Sequence, residues 1–377
     1  MVAKYLFVIS INIGLLVNLY WSTSAIRKWG LLPIITFILI VIHSLLLSTD
    51  VLNSLERALF SLLFVSAATF LVSNFPNDSL SLIKRFIYVS GIFWVIGCFV
   101  AMIGFTSSSY HAGNFRGFTN NSNYLALYLS VFVTPSFITK IVRSRRLSAS
   151  FFLNLVLFFA VLLIIIETRS RASILVVVVM LLLQLNYSNL IRGVPVYRKR
   201  LLLCFVALAS IFSLLNVGFI ADKYSTSEGT LVESVFSTRA IMYDYRIQGI
   251  TERPWLGWGY SINSMEGRMT EPWVFNEYEK GTTPLAVVEE FGIVLGGLLL
   301  LVLLKIGIAS FRGWPQDPIV CSIVLGALVH SLFETWLFNF NSYYCWIFWI
   351  CVVKTLTYAC PPVMHNPFRV LSSQFHQ

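Results

Sequence analysis

A chain of 377 residues that is 57% hydrophobic and only 12% charged, with a mean hydropathy of +0.78, is not a soluble globular domain, in which about 25% of residues carry charge. Apolar runs near the roughly 20 residues that cross a bilayer recur from end to end, so the composition predicts an all-α polytopic protein of an inner or plasma membrane. The net charge of +10 does not point to nucleic acid. Basic residues cluster in short gaps between apolar runs (Arg27-Lys28, Lys84-Arg85, Lys140 to Arg146, Arg192 to Arg200, Lys305 and Arg312), which is the bias of cytoplasmic loops.

The predicted spans, in chain order, are 4–21, 30–48, 57–73, 86–106, 122–141, 150–167, 171–190, 201–220, 284–305, 317–338 and 340–358. That makes about eleven, with ten to twelve as the range. The first run has one lysine and no small-residue cleavage pattern, so it reads as a span and not as a removable signal. Alternation with the basic gaps inside puts the N-terminus outside and the tail 359–377 in the cytoplasm. The tightest connections fall at Arg169 and Phe338. All six cysteines (Cys98, Cys204, Cys321, Cys345, Cys351, Cys360) lie in or beside apolar runs without metal-ligand spacing, and read as small buried hydrophobes.

The organisation is therefore helices within 1–220, one large extracytoplasmic loop over 221–283, and further helices within 284–358. The loop carries nine of the chain's seventeen acidic residues and six basic ones, a net charge of −3. A loop this long is usually functional. Within it, Ser237-Thr238 can cap a short helix over Arg239–Thr251, with Arg239, Tyr243 and Arg246 on one face. Pro254 ends that helix. The following Pro-Trp-Leu-Gly-Trp-Gly turn is aromatic, and Trp255, Trp258, Tyr260 and Trp273 suit either a bilayer interface or a sugar-stacking surface.

The residues that could carry chemistry lie on the same outer side. Arg169 and Arg171, in Glu-Thr-Arg-Ser-Arg, sit between two apolar runs, where arginine is costly without a partner or a role. They read either as snorkelling or Glu167-paired residues, or as an anion site, because guanidinium grips phosphate bidentately. Arg116, Arg169, Arg171, Arg239 and Arg246 form a set of outward-facing arginines. Asn120, Asn121 and Asn123 add neutral hydrogen-bonding groups, for sugar hydroxyls or for capping a helix, and Gly113 and Gly117 permit close backbone approach. Such a site suits a phosphorylated, hydroxyl-rich molecule reached from the membrane.

Four stretches, RGFTNNSNYLA, TRSRASILV, STRAIMYDYRIQGITERPWLGWGY and PLAVVEEFGIVLGGLL, resemble the bacterial O-antigen ligase and polymerase family over roughly residues 113–305. The third is the most specific. The resemblance implies an extracytoplasmic glycosyltransferase that polymerises or ligates undecaprenyl-diphosphate-linked glycan units, with no metal, cofactor or nucleotide sugar. It also implies a glycan or lipid acceptor, and a flippase or chain-length regulator as protein partners. The family's two functional arginines correspond to Arg171 and Arg239.

One departure stands out. The histidine found in ligases of the family falls on Gly281, and no histidine lies in the loop. Glu279, Lys280, Glu289 and Glu290 flank that position. Glu290 is the expected general base if burial raises its pKa, while Glu289 or Glu290 paired with an arginine would instead hold the site together. Lys280 and Tyr243 complete the expected substrate contacts. His43 and His330 read as hydrogen-bonded packing residues, and His111 as incidental. A flippase for the same lipid is the alternative reading, but its signature of repeated, interrupted helices is absent.

Overall fold

A computed structural model describes residues 31–74, 78–104, 109–111, 114–119, 121–144, 148–190, 243–262, 264, 281–340 and 342–358, and the chain is helical over most of them. Helices α1 (Leu31–Leu47) and α2 (Val51–Asn74) form an antiparallel hairpin. Asp50 caps α2 by accepting the Asn53 N–H at 3.2 Å. The hydrogen bonds from Asn53 hold its carboxyl below the usual range. Helix α3 (Asp78–Ile103) leads to a minimal antiparallel ribbon, β1 (Tyr110–His111) against β2 (Asn114–Phe115).

The next span is one rod built of three pieces: α4 (Ser122–Leu127), a π-helical turn over Tyr128–Val133, and α5 (Thr134–Arg143). Pro135 lies in the first turn of α5. It has no N–H to give and its ring crowds the preceding turn, and a widened turn at that place accommodates both effects. This rod is 94% buried over its most apolar window, so it is the axis of the bundle. Around it pack α3, α6 (Ala149–Glu167), α7 (Arg171–Leu190) and α10 (Pro318–Ser331). Residues 243–252 form a short helix, α8. The long α9 (Thr283–Gly313) and α11 (Tyr343–Tyr358) complete the described elements.

Among the described residues, five helices are long and apolar enough to cross a membrane: α2, α3, the α4–α5 rod, α6 and α9. Helices α1 and α10 and the first part of α7 are shorter and apolar. Phe93, Val100, Val156 and Leu301 are all more than 60% exposed; large apolar side chains turned outward on several helices are what lipid covers. The molecule is a membrane-embedded helical bundle. Nine of the predicted spans correspond to described elements, and those at 4–21 and 201–220 lie outside the described residues. Cys98, Cys321, Cys345 and Cys351 are buried and free.

The two ends of the bundle differ. One gathers Lys84, Lys140, Arg143 and Arg312. There Lys84 pairs with Asp317, which also accepts the Tyr358 hydroxyl at 3.1 Å. The other end gathers the starts of α2, α4, α7, α9 and α11, the ends of α1, α3, α6 and α10, and the described part of the long loop.

Candidate functional site

The opposite end is organised by a break in α9. Gly292 leaves the helix with φ 72° and ψ 175°, a region open essentially to glycine alone. The backbone groups freed there are taken up by the Pro254–Gly259 turn. Ile293 N–H donates to the Pro254 carbonyl at 2.7 Å, Trp258 N–H to Glu289 at 3.1 Å, and Gly259 N–H to Glu290 at 2.8 Å. The approach is so close that a Cβ on Gly292 would overlap the Trp255 carbonyl, and one on Gly257 would overlap the backbone of Glu290 and Gly292. The glycines of the aromatic turn and of Glu-Phe-Gly are thus two halves of one contact.

The far side of the same turn is held by α1. Thr49 N–H donates to the Trp258 carbonyl at 2.9 Å, and His43 Nε2 donates to the Leu256 carbonyl at 2.7 Å. The Tyr260 hydroxyl donates to the Phe338 carbonyl at 2.6 Å, and the Arg57 guanidinium to the Ser261 carbonyl at 3.0 Å. This part of the loop is docked to the bundle.

Helix α8 places Tyr243 and Arg246 on one face, as their spacing predicts. Both approach Gly281, whose Cβ, if present, would lie 3.3 Å from Tyr243 Cε1 and 3.8 Å from Arg246 Nε. Arg246, expected among the outward-facing arginines, instead points inward. It is 2% exposed and donates to the buried carboxylate of Glu289, which also accepts the Ser264 N–H at 3.2 Å. A buried carboxylate needs a cation and hydrogen-bond donors, and Glu289 draws Arg246 in to supply them. Glu290 is 7% exposed and accepts the Ser261 N–H at 2.8 Å. Both acids at the break therefore fasten the loop to α9.

A narrow polar cleft, with room for about one water, opens beside this contact, lined among the described residues by Asn121, Asn123, Tyr124, Leu127, His330, Glu334, Thr335 and Trp336. Asn121 caps α4, its side chain accepting the Asn123 N–H at 2.8 Å. The Asn123 side-chain amide donates to Glu334 Oε1 at 3.4 Å. Tyr124 stacks on Tyr344, with centroids 5.9 Å apart. The cleft and the loop contact meet at the start of α9, where the Thr283 hydroxyl donates to the Glu334 carbonyl at 2.9 Å. At the back, the Trp336 indole N–H donates to His330 Nδ1 at 3.2 Å. His330 Nε2 meets the Ser173 hydroxyl at 3.4 Å, and the Ser170 hydroxyl donates to Ser173 at 3.1 Å.

Ser170 and Ser173 flank Arg171, so the start of α7 forms one flank of this end. Arg171 is the first residue of α7 and is exposed. Arg169 is exposed too, and adopts φ 57° in the tight turn from α6. Arg116 lies in the turn after β2, its N–H donating to Ser109 and its carbonyl accepting from Thr119. Gly117 is used for packing, with Cys98 Sγ 2.8 Å from where its Cβ would lie. Arg239, Asn120 and Lys280 lie outside the described residues. Glu334 and the contacts of His330 were not legible as site features. They follow from the irregular chain after α10, in a stretch whose apolar residues read as span. No group of three or more His, Cys, Asp or Glu among the described residues could hold a metal ion.

Fold and site together define a membrane-embedded helical bundle with a polar cleft at one end, beside a loop docked into a broken helix. The chain matches no protein-family model and no curated protein.

Proposed function

We propose that the protein is an extracytoplasmic glycosyltransferase that extends or transfers glycans carried on a polyprenyl diphosphate, with its acceptor a second glycan or a lipid. The observation that carries this reading is the polar cleft with exposed Arg169 and Arg171 close by. Arg171 opens α7, whose third residue, Ser173, touches the cleft histidine. A helix N-terminus reinforced by two guanidiniums favours a diphosphate. The amides, carboxylate and aromatic rings around the neighbouring cleft are of the kinds that bind sugars. The lipid leaving group reaches such a site from the surrounding bilayer.

In this reading Arg171, with Arg239 from the loop, stabilises the charge that develops on the departing diphosphate. Glu290 and Arg246 hold the loop, and Tyr243 and Lys280 are assigned to substrate binding. Flippase and chain-length regulator partners belong to the same pathway.

The test uses purified protein in liposomes with a defined undecaprenyl-diphosphate oligosaccharide. Wild type is expected to lengthen the glycan. Arg171→Ala and Arg239→Ala should lower the rate by about a hundredfold, and lysine should rescue poorly because it lacks the bidentate fork. Movement of the lipid across the bilayer without chain growth would make the protein a flippase instead.

A further inference from the structure

The exposed tip of the docked turn is apolar, and we infer that it is a membrane anchor: Trp255 and Leu256 sit in the headgroup boundary of the leaflet at the cleft end and hold the loop at that level. The inference stands on the molecular surface and does not need the transferase reading. Trp255 is 65% exposed and Leu256 51%, side by side in a turn whose backbone is tied to α9 on one flank and to α1 on the other. A rigid turn that keeps an indole and a leucine pointing outward needs something apolar to cover them.

Lipid is the occupant because the tip continues surfaces that lipid already covers. Beyond the break, α9 turns Val294, Leu298, Leu301, Leu304, Ile308 and Phe311 outward, at the spacing of three and four that makes one helical face. Trp255 meets the top of that face. Its carbonyl lies against Gly292, and Ile293, exposed as well, donates its N–H to the Pro254 carbonyl. On the other flank His43 reaches the Leu256 carbonyl from α1, whose Ile38, Ile42 and Leu45 are likewise exposed. The turn is therefore held between two helices that face lipid.

The length of α9 sets the depth. From Ile293 to Arg312, an exposed basic residue in its last turn, the helix rises about 28 Å at about 1.5 Å per residue. That is close to the roughly 30 Å of the hydrocarbon layer. With Arg312 at one headgroup boundary, Gly292 and the turn docked on it fall at the other, where tryptophan is favoured. The flanking polarity agrees. Arg253, two residues before Trp255, is exposed, and apart from Ile247 the outward residues of α8 are Asp244, Gln248, Thr251 and Glu252, a face for water. The aromatic residues of the loop then divide. Trp258 is half-buried with its indole N–H on the Gly249 carbonyl at 2.9 Å, and Tyr260 is buried. Both are structural, Trp255 is the anchor, and Trp273 lies outside the described residues.

The test places a thiol-reactive fluorophore at single cysteines of the full chain, in a cysteine-free background, reconstituted in phosphatidylcholine nanodiscs. The variants are Trp255→Cys, Leu256→Cys, Thr251→Cys and Leu301→Cys, the last about 12 Å deeper along α9 than Ile293. Three quenchers are compared: lipid with a nitroxide near the headgroup, lipid with a nitroxide at mid-chain, and aqueous iodide. Labels at 255 and 256 should lose most emission to the shallow nitroxide, the label at 301 to the deep one, and the label at 251 to iodide. Neither the Trp255 nor the Leu256 side chain takes part in the docking bonds, and either position alone gives the reading if the other variant fails to fold. Quenching at 255 and 256 by iodide as strong as at 251, with none from nitroxide lipid, would put the tip in water and overturn the assignment. Protection from all three quenchers would mean that protein covers the tip, and would overturn it as well.

Discussion

Arg246 and Glu289 show how charges that suggest chemistry in the sequence can be used for structure. Both side chains are almost wholly buried, and the low dielectric that strengthens their attraction also penalises either one alone. Arg246→Ala and Glu289→Gln should each destabilise the protein by about 3–5 kcal/mol, while Arg246→Met combined with Glu289→Leu should recover much of that loss. Thermal unfolding of the detergent-solubilised protein, followed by retention of the monodisperse peak, checks this. A double variant no better than the worse single one would refute a self-contained pair. Residue spacing was enough to put Tyr243 and Arg246 on one helical face. It could not say which way the face turned, because that depends on Glu289, more than forty residues later.

At the scale of elements, the break in α9 is the feature on which the docked loop depends. Gly292→Ala adds a Cβ in a conformation reserved for glycine and drives it into the Trp255 carbonyl. The backbone term alone costs about 1–3 kcal/mol, and the lost pairing with the aromatic turn adds to it. Gly297, five residues on, has nothing within 4 Å of its would-be Cβ. Gly297→Ala should therefore be neutral, or more stable by up to about 1 kcal/mol. Limited proteolysis within 254–264 reads the difference, and equal protection in both variants would contradict the described contact. Hydropathy located these helices well and their ends poorly. Helix α2 begins at Val51 instead of 57 because Asp50 caps it and its polar first turns are still helical. Helix α10 stops at Ser331 although the run continues to 338. Trp336 and Leu337 are buried in irregular chain, and apolarity does not distinguish a buried turn from a span.

For the whole molecule, the expected sidedness rests on the basic residues, and the bundle keeps Lys84, Lys140, Arg143 and Arg312 away from the cleft. Single cysteines at Thr251 and Ser144 in a cysteine-free background should react differently with an impermeant thiol reagent applied to intact cells. Thr251→Cys, at an exposed position of α8, should label, and Ser144→Cys should not. The reverse pattern would turn the cleft toward the cytoplasm and end the extracytoplasmic reading. The fold class was legible because a bilayer allows few solutions to the problem of backbone polarity. The cleft was not, because its described walls come from α4, the end of α10 and the chain after α10, and no local pattern announces their meeting.

The turn at 254–259 also sets an order of events during synthesis. Its partners on one side are His43 and Thr49, and on the other the carbonyls of Glu289 and Glu290. The bond between Thr49 and Trp258 joins residues 209 positions apart. At translation rates of about 5–20 residues per second, the first hairpin waits roughly 10–40 s for that partner. During that interval the polar cap of α1 is unfinished, and quality-control proteases or insertion chaperones have their opening. Variants of the aromatic turn should therefore be lost from the membrane as newborn chains, before any mature protein has had the chance to fail.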